Sequence, residues 1–62
     1  MTREEALSLH VGDTIIYRSS YTVTGVVIEI RDNGFLAKWP SGAVELVRYD
    51  SKLLKFIEKK EG

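Results

Sequence analysis

The sequence predicts a mainly β fold, a small closed or nearly closed barrel of five short strands preceded by a short helix. Three observations carry this expectation. The chain has 62 residues, enough for one thin core and no second one. Strand-like runs of four to nine residues are separated by turn signals at Gly12-Asp13, Asp32-Asn33-Gly34 and Pro40-Ser41-Gly42, a spacing too tight for crossover helices. Strands this short are too few for a sandwich, and closing them on one another removes edges that would otherwise invite aggregation.

The elements follow in order. Thr2-Arg3-Glu4-Glu5 is a capping-box pattern, and Glu4 and Glu5 suit the positive end of the helix dipole. It predicts up to two turns of helix within residues 1–10. Residues 14–18, rich in β-branched and aromatic types, form the first strand, and 18–22 form a polar loop. The second strand, 23–31, is the longest. Asp32-Asn33-Gly34 forms a hairpin in which Asn and Gly accept positive φ. The third strand is 35–39, Pro40-Ser41-Gly42 forms a turn, and the fourth strand is 43–48. Residues 49–53 form a 3₁₀-like turn, 54–57 a fifth strand, and 58–62 a charged tail. The barrel thus spans 12–57.

Alternation along strands sorts side chains into two faces. Val26, Ile28, Ile30, Phe35, Ala37, Trp39, Val44 and Leu46, joined by Ile15 and Tyr17, form the expected core. The opposite face carries Glu29, Lys38 and Glu45, but also Ile16, Val27, Leu36 and Val47. Four aliphatics on a polar face need a cover. The N-terminal helix or the last strand is one, and the alternative is a homodimer built on Ile16, Val27, Leu36 and Val47.

Nine basic and nine acidic side chains cancel, so no global field draws the protein to nucleic acid. The first thirty residues carry two cations against four carboxylates, and the remainder seven against five. There is no cysteine, so neither a disulfide nor a thiolate metal site stabilises the fold. Apolar runs such as Val26-Val27-Ile28 are far too short to span a membrane, and acidic Glu4 and Glu5 stand where a signal peptide would be basic. The expected setting is cytoplasmic.

Gly12-Asp13-Thr14-Ile15-Ile16-Tyr17, Gly25-Val26-Val27-Ile28-Glu29-Ile30 and Phe35-Leu36-Ala37-Lys38-Trp39 together resemble the SH3-like barrels of the Tudor and KOW type. The pattern is most similar to the C-terminal Tudor-like domain of UvrD-type helicases, whose terminal Leu-Leu motif resembles Leu53-Leu54-Lys55-Phe56. The resemblance covers residues 11–57 and implies docking on RNA polymerase, ribosomes or nucleic acid. Trp39 matches one position of a methyl-reading aromatic cage, but the Pro40-Ser41-Gly42 turn supplies no second aromatic, which argues against that ligand. Gly42-Ala43-Val44-Glu45-Leu46-Val47 also resembles the type II dihydrofolate reductases. Glu45 and Val47 replace the Gln and Tyr of that family, which removes its substrate contacts.

Residues with chemistry are sparse. His10 is the sole histidine, with no ligand cluster beside it to hold a metal. Ser8, His10 and Asp13 show no nucleophile set against a base. No cofactor and no enzymatic activity is expected. Arg18, Tyr21, Lys38, Trp39, Arg48 and Tyr49 mix cationic and aromatic groups in loops and at strand ends, the types that dominate protein interfaces and that also stack on bases. The leading expectation is a binding module that docks on a protein of the transcription, replication or repair machinery. Direct nucleic-acid binding is the alternative, and an oligomeric reductase the distant one.

Overall fold

The computed structural model describes residues 1–18 and 20–60, with backbone alone for 20–22. Its first element, α1 (Arg3–Leu7), is set by the capping box: the Glu5 N–H donates to the Thr2 hydroxyl at 3.2 Å, and the Glu5 carboxylate accepts from the Thr2 N–H at 2.9 Å. Ala6 and Leu9 enter the core from this segment, whereas Leu7 faces solvent.

Five strands follow among the described residues: β1 (Thr14–Tyr17), β2 (Ser20–Arg31), β3 (Gly34–Lys38), β4 (Val44–Arg48) and β5 (Ile57–Lys59), with a 3₁₀ helix (Lys52–Phe56) between the last two. They form one antiparallel sheet in the order β4-β3-β2-β1-β5. The twelve-residue β2 begins earlier than expected, its first half pairing with β1 and its second with β3. The 3₁₀ helix takes residues 54–56 from the expected fifth strand, because Ser51 caps it through an N–H bond from Leu53 at 3.1 Å. No ladder joins β4 to β5 among the described residues, so the expected closure is absent and the sheet keeps two edges.

The core is built from Ala6, Leu9, Ile15, Val27, Phe35, Ala37, Trp39, Val47, Tyr49, Leu54 and Ile57. β1 and β3 bury the faces the alternation predicts. β2 and β4 do not. Val27 and Val47, expected on the outer face, are 0% and 1% exposed, while Val26, Ile28, Ile30, Val44 and Leu46, expected in the core, are exposed.

Loop length and a bulge explain the reversal. The β3–β4 loop has three residues, Pro40–Gly42, with the Trp39 N–H donating to the Ala43 carbonyl at 2.9 Å, and Gly42 supplies the positive φ of 89° that closes it. Counting back from that pair sets Val47 opposite Phe35 and Leu46 opposite Leu36. Residues paired across an antiparallel ladder share a face, so buried Phe35 carries Val47 inward. In β2 the register slips between Val27 and Glu29, and Ile28 is the unpaired extra residue of a bulge. Val27 therefore lies opposite buried Ala37, whereas Ile30 keeps the inner-face register opposite Phe35 and is 41% exposed beside the hairpin turn.

The β2–β3 hairpin departs from expectation too. Arg31 pairs with Gly34 across a two-residue loop, but neither Asn33 nor Gly34 has positive φ. Gly34 is required for space instead: a Cβ there would lie 2.8 Å from the Arg48 Cα and strike the Val47 carbonyl.

Candidate binding surface

The cationic and aromatic residues singled out in the sequence do not converge on one site. Arg18 stands beside β5, its guanidinium 3.1 Å from the Glu58 carboxylate, on a groove of about 550 Å³ that also touches Met1, Glu5 and Lys55. Tyr21 lies outside the residues whose side chains are described. Lys38 is exposed on the outer face and borders a shallow groove of about 310 Å³ with Val26, Trp39 and Pro40. Arg48 is exposed at the far end of β4 and paired with Asp50 at 3.2 Å.

Trp39 and Tyr49 are core residues, 8% and 7% exposed. The Tyr49 ring packs 6.5 Å from Phe35, and its hydroxyl donates to the Arg31 carbonyl at 3.2 Å, the buried aromatic with a satisfied polar end. The Trp39 ring stacks on Tyr17 with centroids 4.7 Å apart and planes 16° apart. Gly25 lets that ring lie flat on β2: a Cβ there would sit 2.7 Å from the indole Cε3. The indole Nε1 is buried, and no protein group among the described residues accepts its hydrogen bond. Burial, and then the charge of Glu45, pushes the Tyr17 hydroxyl above its ordinary pKa.

The proposed self-association stripe is not a surface. Val27 and Val47 are in the core, and only Ile16 and Leu36 of that set keep partial exposure. A different aliphatic patch takes its place on the outer face of β2, β3 and β4. Val26, Lys38 and Val44 form one cross-strand row there, and Glu29, Leu36 and Leu46 the next. Val26 is 43%, Val44 52% and Leu46 37% exposed, with Ile28 beside them. Pairing Trp39 with Ala43 across the three-residue turn already legible in the sequence places Val44 and Leu46 on this outer face. The bulge at Ile28 leaves no comparable signal.

Near this patch Arg31 pairs with Glu29 and Arg48 with Asp50, and on β5 at the other edge of the sheet Lys59 pairs with Asp13 at 3.7 Å. Lys38 stands without a carboxylate partner among the described residues, and no group of three or more His, Cys, Asp or Glu side chains is placed to hold a metal ion among them. No helix among them is long and apolar enough to cross a membrane. Comparison with protein-family models, with curated proteins and with solved structures finds no match to this chain.

Proposed function

We propose that this chain is a non-enzymatic module of the Tudor or KOW kind, an SH3-like barrel left open between β4 and β5, that docks a protein of the transcription, replication or repair machinery on the outer face of β2, β3 and β4. The observation that carries the reading is the set of exposed aliphatics Val26, Ile28, Val44 and Leu46, spread with Lys38 and Glu29 over neighbouring cross-strand rows, in a domain that has few large apolar side chains to spare. Aliphatic surface rimmed by polar side chains marks an interaction site. Net charge favours a protein over a nucleic acid. Binding along phosphates usually comes with a clear cationic excess, and here nine basic and nine acidic side chains cancel.

Affinity capture from host lysate, with and without nuclease, tests this. The expected result is protein capture that survives nuclease and is lost in Val44→Lys, whose side chain is exposed and whose fold should be unchanged. Capture abolished by nuclease and indifferent to Val44→Lys would replace this reading with direct nucleic-acid binding.

A further inference from the structure

The ladder fixes which backbone groups of β4 are free. At one end the Trp39 N–H donates to the Ala43 carbonyl, and at the other the Tyr49 N–H donates to the Asn33 carbonyl at 3.1 Å. In an antiparallel pair, bonded and non-bonded residue pairs alternate. Both bonds fall in the same set as Phe35 with Val47 and Ala37 with Glu45, so Glu45 and Val47 direct their N–H and C=O groups to β3. Val44, Leu46 and Arg48 direct theirs to the open edge. The Arg48 carbonyl accepts from the Ser51 N–H at 3.0 Å, and the N–H groups of all three meet no strand among the described residues.

Side chains along this edge define what could pair with it. Val44 and Leu46 lie exposed on the outer face. Glu45, between them, lies on the inner face opposite Ala37. It is half-buried, close enough for its charge to act on Tyr17, and has no ion-pair partner among the described residues. A half-buried carboxylate at an open edge is matched by a cation on an incoming strand.

We propose that the β4 edge takes up an extended antiparallel segment of the partner protein in which a Lys or Arg lies opposite Glu45, flanked by aliphatic residues opposite Val44 and Leu46. Such strand addition draws affinity from main-chain hydrogen bonds and selectivity from alternate side chains. A second copy of this chain is a poorer occupant. A two-fold axis through Leu46 would match the free backbone groups, but it would set the two Glu45 carboxylates on the same face as diagonal neighbours, about 7–8 Å apart. The inference rests on the protein-docking reading above and adds the geometry and charge of the partner.

The test uses an eight-residue peptide alternating valine and arginine, with a second peptide carrying glutamate in place of arginine. Amide exchange in the whole chain should slow at Val44, Leu46 and Arg48 when the arginine peptide is added, and stay unchanged at Glu45 and Val47. The glutamate peptide should give no protection. Glu45→Gln, which keeps the side-chain shape, should weaken the arginine peptide about fivefold, the upper range for a partly exposed ion pair. Equal protection by both peptides, or none at millimolar peptide, would overturn the proposal. Protection of the same amides that grows with protein concentration and needs no peptide would assign the edge to a second copy. Protein capture that persists while the peptide fails would remove the edge strand alone. Nuclease-sensitive capture with intact peptide protection would remove the outer-face reading alone.

Discussion

Val27 and its neighbour Val26 offer a direct test of which face of β2 is inside. The two residues have the same side chain and adjacent positions, but Val27 is 0% exposed and Val26 43%. Replacing Val27 with Ala deletes two buried methyl groups. Their transfer accounts for roughly 1.6 kcal/mol at about 0.8 kcal/mol per group. The unfilled space beside Ala37 brings the expected loss to about 2–3 kcal/mol. A domain of this length has a total stability of roughly 3–9 kcal/mol, so the change removes a large share. With a urea m-value of about 1 kcal/mol/M for so small a chain, the midpoint should fall by about 2 M or more. Val26→Ala should cost less than about 1 kcal/mol, since its methyl groups are already part-solvated. Val27→Lys should unfold the chain, because a buried unpaired ammonium costs several kcal/mol. Equal midpoints for the two alanine variants, or a folded Val27→Lys protein, would refute the bulge-defined register and restore Val26 and Ile28 to the core.

Two further expectations follow from local geometry. Gly25→Ala should destabilise by about 1–3 kcal/mol, since the new Cβ meets the Trp39 ring at 2.7 Å, and tryptophan fluorescence should shift as the indole leaves its stack on Tyr17; an unshifted spectrum would show that the ring does not lie on β2. The Asp13 carboxylate accepts from the His10 N–H at 2.8 Å, and this bond, with Lys59 adding to it, holds the carboxyl below its ordinary value of 3.8. A lowered folded-state pKa stabilises above the unfolded value and is lost as pH falls through the folded one. Stability should therefore decline below about pH 4, and Asp13→Asn should make that acid limb shallower in thermal melts across the range.

Element types and most of their order are legible from the residues alone. Thr2 and Glu5 specify the helix start through local bonds, and the β-branched runs with turn residues between them specify strands. These signals act within a few residues, so they are legible without tertiary context. Burial of Phe35, Ala37 and Ile15 was legible too, because their strands alternate cleanly. The inner face of β2 was not, and that of β4 follows only once Trp39 is paired with Ala43 across the turn. Both strands carry aliphatics on each face, so periodicity alone left two nearly equal answers. The three-residue loop after Trp39 and the slip at Ile28 decided between them, since paired residues must share a face and a single-residue offset exchanges inside for outside. The slip put Val27 in the core and Val26 on the surface, and the loop pairing put Val47 in the core and Val44 and Leu46 on the surface. Glu45 shows the other limit. Its place at a free edge, with its charge reaching Tyr17, depends on β4 pairing with β3 alone among the described residues, and strand order is set by packing between residues far apart in the chain.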